Sequence, residues 1–498
     1  MQPRPRRKAA TLPRPLQLNS KAMIKKLLFT LLAVHFALAT GAQEKKEVHI
    51  LSANDMHAAI ECFPRLCFVA DSLRTLYPDL LVLSAGDNRS GDPVNDMYEI
   101  PAYPMVALMN IVGFHATTLG NHEFDSGQEG LARLINLSDF SYLCANAHPA
   151  PSTGIHIRPY QKFDVGGVTV GVIGAVALGS LGKPESHPDN MTDITFTQPL
   201  EALQQYQFLR QECNVVLFLS HIGYEDDVKI SALLPWVDLI VGGHSHTQLK
   251  GGEIHNGVLI TQNENRLPRV THITLTLENG KVTGKCAENI AIKGVKRENK
   301  VVSTLTDAFM HNPAFDEVLA MNDKPLSTYE ELGCMMTDAY LHVTGADLSL
   351  QNYGGVRYDT LSVRGITVRD VLQLDPFQNN LVEMNVTGQE FIDIIKMCFD
   401  NDQVRFPLIS GATAEYVLDA DKKKIKKVVL YGPDGKKLKL KNTYRLVTNN
   451  YVQAITPTNR KDEGHSLGIG TAEAIMKLLK AKGHVDYQGR TCVKEVEK

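Results

Sequence analysis

Short apolar runs alternate with amphipathic stretches through the first three hundred residues, and many of the runs stop at polar side chains of metal-ligand type. Residues 48–53 end in Asn54-Asp55-Met56-His57, residues 80–84 in Gly86-Asp87-Asn88, and residues 115–119 in Gly120-Asn121-His122-Glu123-Phe124-Asp125. Between them, apolar positions recur at helical spacing over 64–77 and 101–112. The alternation continues through predicted strands 140–145 and 168–176, a helix over 199–212, and strands 214–220 and 237–241. Those last two stop at His221-Ile222-Gly223 and Gly242-Gly243-His244-Ser245-His246-Thr247. A helix over 128–137 is expected to be capped by Ser126, with Glu129 as its reciprocal partner. Alternating strands and helices predict an α/β sheet, and such sheets place their sites at the carboxyl ends of strands.

The pattern changes character further on. Residues 272–277 alternate as a strand, 281–300 are charged, and 301–319 read as a helix with Pro313 inside it, so a boundary is expected near 300–325. The second half predicts a helix over 329–343, a strand over 347–350, a strand and helix over 381–398 broken at Thr387-Gly388, a strand over 444–452 and a helix over 470–481. Asp434-Gly435 reads as a hairpin turn. Two segments stand apart from this scaffold: Gln351-Asn352-Tyr353-Gly354-Gly355-Val356-Arg357 and Gln373-Leu374-Asp375-Pro376-Phe377-Gln378-Asn379. In the first, paired glycines between an amide and a guanidinium allow close backbone approach to a flat or anionic ligand.

Composition narrows the functional classes. At 498 residues and 43% hydrophobic, the chain can bury more than one core. Met23-Ile24-Lys25-Lys26, the apolar stretch 27–39 and Thr40-Gly41-Ala42 have the basic, apolar and small-residue regions of a secretory signal, with Met23 as the expected start. Residues 1–42 would then be an extension plus signal, and the product is expected in the periplasm or at the cell surface. The apolar core is short of the ~20 residues a membrane span needs, so no transmembrane anchor is expected. Those residues carry eight Lys/Arg and no acid, and removing them from a chain of formal charge −3 leaves −11. That surface argues against nucleic acid as a partner, so an anionic substrate needs a local positive centre. The eight cysteines include no Cys-x-x-Cys pair, which excludes a zinc ribbon or redox motif. Cys62 and Cys67 are near enough to pair, although buried free thiols are the expectation for most of the eight.

The residues at the strand ends offer oxygen and nitrogen without thiolate, a set suited to two divalent ions such as Zn²⁺, Mn²⁺ or Co²⁺. Asp87 stands alone at its strand end and is the expected bridge between them. Asn54-Asp55-x-His57, Gly86-Asp87, Gly120-Asn121-His122-Glu123-x-Asp125, His221 and Gly243-His244-x-His246 together resemble the ordered motifs of the calcineurin-like dinuclear metallophosphoesterases, in the 5′-nucleotidase and UDP-sugar hydrolase branch. The resemblance implies Asp55, His57, Asp87 and His246 on one metal, and Asp87, Asn121, His221 and His244 on the other. It makes His122 and Asp125 a catalytic dyad outside the metal ligands.

In the second half it implies a substrate-binding loop at Asn352, Gly354, Gly355 and Arg357, with Phe377 and Tyr451 as rings that sandwich a base. The implied architecture is an N-terminal four-layer metallophosphoesterase β-sandwich flanked by helices over 43–300, a linker helix over 301–325, and an α+β substrate-binding domain over 326–498. The implied activity is removal of the 5′-phosphate of nucleoside monophosphates. UDP-sugars, 2′,3′-cyclic nucleotides, a sulfur-centred ester, or nucleotide binding without catalysis are the alternatives. Two departures leave nucleotide preference open: the segment before the helix at 329 lacks the family's arginines, and Thr456–Gly464 replaces its Gly-Gly-Asp-Gly loop.

Overall fold

The computed structural model describes residues 45–496, apart from 359, 402–404 and 458–460. The signal-like segment and the centre of the 456–464 loop lie outside the described residues.

Two six-stranded sheets organise the first half. In one, Lys45–Ala53, Leu81–Ser84, Ala116–Thr118 and Ser141–Leu143 run parallel, and Arg269–Glu278 and Lys281–Ala291 add antiparallel on the far side of Lys45–Ala53. In the other, Val168–Val176, Val215–His221, Leu239–Gly242 and Val258–Thr261 are parallel. Side chains alternate between faces along each strand. Leu81 and Leu83 therefore pack inward against Val170, Leu217 and Val241 of the other sheet, whereas Val82 packs outward against Phe63, Leu108 and Met109 of the helices Phe63–Leu76 and Tyr103–Val112. Val216 and Phe218 likewise pack outward against Leu203, Leu209 and Ile230. The result is helix, sheet, sheet, helix: the expected four layers.

The second half has its own core, built on a five-stranded sheet in the order Leu408–Ser410, Leu348–Gln351, Thr443–Asn449, Asn380–Thr387 and His465–Gly470. Helices Tyr329–Thr344, Gly388–Asn401 and Thr471–Lys482 pack on it. Thr328 and Glu331 form a reciprocal cap at the first of them.

Several local expectations are corrected. The helix over 199–212 is two short helices, Pro199–Gln204 and Leu209–Glu212. Ser126 caps nothing through its side chain; its hydroxyl accepts from Arg89 Nη1 instead. The charged segment after 280 is a strand, Lys281–Ala291. The helix from 301 stops at Met310, before Pro313, and the chain returns as the strand Val318–Asn322. After Tyr431 the Asp434-Gly435 turn leads only to an isolated bridge with Lys437. Tyr451 lies on the helix Asn450–Ile455, because the strand before it ends at Asn449. All eight cysteines are free thiols, and all but Cys286 are buried.

Candidate active site

The carboxyl ends of the two parallel strand sets lie along one edge of the sandwich, where the chain turns through left-handed backbone. Asp55, His57, Asp87, His244 and His246 have φ of 45°, 43°, 50°, 75° and 54°. Non-glycine residues hold such angles, at about 1–3 kcal/mol each, only where their surroundings impose them. Gly120 permits the closest approach: a Cβ there would collide with Asp87 Oδ1. Buried Glu123 ties the same turns together, accepting from the backbone N–H of Asp87 (2.9 Å), Asn88 (2.9 Å) and Gly120 (2.7 Å). Asn54 performs a similar task for Asp55, donating to its carboxylate at 2.7 Å.

The seven metal-type residues converge as two groups that share Asp87. In one, His57 Nε2 is 3.2 Å from His246 Nε2 and 3.9 Å from Asp87 Oδ2, and His246 Nε2 is 3.5 Å from Asp55 Oδ1. In the other, His221 Nε2 is 3.2 Å from Asp87 Oδ2 and 3.3 Å from Asn121 Oδ1, which is 3.1 Å from His244 Nδ1. Donor atoms bound at about 2.0–2.2 Å around one ion stand roughly 3 Å apart, so both groups fit a divalent cation. The ring of His221 is oriented from behind, its Nδ1 donating to the Ala85 carbonyl at 2.7 Å.

The electrostatics also call for positive charge. Burial would depress the imidazole of His221, yet Asp87 and then Asp55 push it up to about 10. Burial opposes ionisation of Asp87 in turn, but His221 and His122 hold its carboxyl well below the usual range. Burial and the neighbouring His221 press His244 down to about 4. A cation suits a pocket in which buried carboxylates otherwise recruit a proton.

His122 and Asp125 sit beside these groups. His122 Nδ1 is 2.8 Å from Asp125 Oδ2, and its Nε2 faces Asp87 Oδ2 at 3.9 Å. Burial works against its charge, but Asp87 and Asp125 raise its pKa above the ordinary value. Asp125 is itself held by the Ser90 hydroxyl at 2.6 Å and the Ser186 hydroxyl at 2.9 Å.

A cavity of about 360 Å³ opens from this edge and is closed by the second half. Asn352, Gly354, Gly355, Arg357, Phe377 and Tyr451 all line it, opposite Asp87, Asn121, His122, Asp125, His244 and His246. Asp55, His57 and His221 lie behind that surface. Arg357 Nη2 reaches His57 Nε2 at 3.1 Å, and the ring of Phe377 stacks on His122 with centroids 5.6 Å apart.

Other residues at the seam carry no local sequence signal. Buried Asp92 accepts from Arg369 Nη1 (3.3 Å) and Gln373 Nε2 (2.5 Å), and Arg369 also donates to the Met310 carbonyl at 3.1 Å. The loop 88–92 thereby links the turn that holds His57 and Asp125 to the helix Val368–Leu374 that leads into Phe377. Asn265, Glu185, Ser186, Tyr329, Tyr353, Asn379 and Arg405 also line the cavity and were missed from sequence. Tyr329, Tyr353 and Arg405 come from three separate elements.

Asp375, just before Phe377, is buried, and burial lifts its carboxyl to about 6 against opposing hydrogen bonds from Thr471 and the Phe377 N–H. A folded-state pKa raised above the unfolded value means that stability falls as pH rises from roughly 4 to 6. Asp375→Asn is therefore expected to stabilise the protein by up to about 3 kcal/mol at pH 7.5 and to lose that advantage near pH 4, read from urea midpoints at the two pH values.

Residues 48–248 match the calcineurin-like phosphoesterase family, and residues 301–455 match the 5′-nucleotidase C-terminal domain. The chain is 28% identical to Protein UshA of Yersinia enterocolitica over 84% of its own length and 88% of that protein's. It is 25% identical to a 5′-nucleotidase of Vibrio cholerae, covering 82% of this chain and 83% of that one. Among solved structures, the 5′-nucleotidase precursor of Thermus thermophilus superposes with a TM-score of 0.81 at 25% identity, over 91% of this chain and all of that one.

Proposed function

From the premise that the chain belongs to the 5′-nucleotidase family of calcineurin-like phosphoesterases, and is thus a phosphoric ester hydrolase, we propose that it is an exported enzyme removing the 5′-phosphate of nucleoside monophosphates. The observation that carries this reading is the cavity itself, with metal-type side chains on one wall and an arginine and two aromatic rings on the other.

In this reading residues 43–300 hold the metals and 326–498 hold the rest of the substrate. Asp55, His57, Asp87 and His246 bind one divalent ion, and Asp87, Asn121, His221 and His244 the second. Mixed imidazole and oxygen donors suit Zn²⁺, Mn²⁺ or Co²⁺. When bound, two such ions supply charge neutralisation at the phosphoryl oxygens and activation of water.

The chain's own groups do the remainder. Asp125 accepts the Nδ1 proton of His122 and fixes its ring, leaving Nε2 aimed at the space beside Asp87, where its proton can be donated to a phosphoryl oxygen as charge develops. Arg357, now against His57, is placed to donate to the same phosphoryl group once substrate separates them. Phe377 and Tyr451 offer faces to a base, and Asn352, Gly354 and Gly355 keep the loop close enough for Arg357 to reach. Export rests on the signal pattern of residues 23–42, and among the described residues no helix is long and apolar enough to cross a membrane.

One assay tests the reading: phosphate release from AMP, UDP-glucose and cyclic AMP, with chelator and metal add-back. AMP is expected to be the best of the three, with activity lost to chelator and restored by Mn²⁺, Co²⁺ or Zn²⁺. Turnover of UDP-glucose equal to or above that of AMP would overturn the monophosphatase assignment.

A further inference from the structure

The cavity contains a second arginine whose surroundings differ from those of Arg357. Arg357 faces the first half, against His57 and over Phe377. Arg405 belongs to the second-half wall: its guanidinium carbon lies 4.9 Å from the centroid of the Tyr353 ring, and its Nη1 donates to the Tyr353 hydroxyl at 2.9 Å. Tyr353 is in turn stacked on Tyr329, with centroids 4.7 Å apart and planes 16° from parallel. Two aromatic rings and a hydroxyl thus hold a planar cation at the cavity wall.

A guanidinium carries five N–H donors and no acceptor. Tyr353 is the one hydrogen-bond partner of Arg405 among the described residues, and no carboxylate among them lies within ion-pair distance of it. The remaining donors are available to whatever fills the cavity. With the phosphoester at the metal-type side chains, the part of a nucleotide that reaches the second-half wall is the base.

Resting on the nucleotidase reading above, we propose that Arg405 is a specificity-determining residue that reads the base edge, and that the enzyme prefers 6-oxopurine nucleotides, GMP and IMP, over AMP. The chemistry is a match of donors to acceptors. Guanine and hypoxanthine present O6 and N7, two acceptors spaced for the two parallel N–H groups of a guanidinium. Adenine keeps N7 but replaces O6 with an amino group, which sets a donor against a donor. The Tyr329–Tyr353 stack lowers the entropic cost of presenting the fork, since the guanidinium is already held.

The test measures kcat/KM for GMP, IMP and AMP in the full-length enzyme with metals bound, for wild type, Arg405→Met and Arg405→Lys. Wild type is expected to favour GMP and IMP over AMP by on the order of tenfold. Arg405→Met should bring the three substrates to within about twofold, mainly by raising KM for the oxopurines. Arg405→Lys keeps the charge but loses the fork, and should level them as well; retention of the preference by the lysine variant overturns the two-donor geometry. A wild type without oxopurine preference, or a preference unaffected by Arg405→Met, overturns the proposal while leaving the nucleotidase reading intact. Hydrolysis of p-nitrophenyl phosphate by wild type without hydrolysis of any nucleoside monophosphate overturns both.

Discussion

Asp87→Ala is expected to empty both metal positions and to reduce phosphate release by at least about four orders of magnitude, a barrier increase of roughly 5.5 kcal/mol. Asp87 Oδ2 is the atom the two ligand groups have in common, 3.2 Å from His221 Nε2 and 3.9 Å from His57 Nε2. Its other oxygen accepts the backbone N–H of His122 at 2.9 Å, so the substitution also loosens the turn that presents the dyad. Elemental analysis of purified protein, alongside the phosphate assay, reads both consequences. An alanine variant that kept two ions per chain would remove Asp87 from its bridging role.

His122→Ala is expected to behave in the opposite manner: metal content unchanged, kcat reduced about 10²- to 10⁴-fold. The geometry makes the metal count the deciding measurement, because His57, Asp87 and His122 also lie close enough together to hold an ion. If His122 were a ligand, its loss would lower metal occupancy together with activity. As a member of a dyad with Asp125, it should leave occupancy intact, and Asp125→Asn should reproduce part of the defect by allowing the ring to turn. Near-full activity in His122→Ala would overturn the dyad.

The two halves of the site differ in how far they can be read from sequence. The metal-type residues are readable because each follows directly on an apolar strand, and strand ends in an α/β sheet meet in space wherever the strands are parallel neighbours. The supporting role of Glu123 is legible for the same reason: three residues separate it from Gly120, which it holds. Asp92, Arg369 and Gln373 have no such signature, since their contact spans 277 residues or more and depends on how the halves meet. Arg405 reads in sequence as a surface cation until Tyr353 is placed beneath it.

Errors in the fold have local causes. The strand Lys281–Ala291 is masked by its lysines and glutamate, which occupy exposed positions at the sheet edge, but Asn279-Gly280, with φ of 52° and 75°, is the hairpin signal that outweighs them. Pro313 ends the linker helix early because proline removes an N–H donor and clashes within a helix. Sequence places Tyr451 on a strand because Tyr444 to Val452 is continuously strand-like in composition; the side chain of Asn449 accepts the Val452 N–H and starts a helix instead.

The ring of Phe377 lying flat on His122 carries a thermodynamic consequence. In this arrangement the cover is shut on its own seat, and a substrate can enter only from the fraction of molecules in which the two have parted. Apparent affinity is reduced by that fraction for every substrate alike, whatever its base. A mutation that weakened the seam at Asp92 could therefore tighten binding without adding a single contact to the ligand.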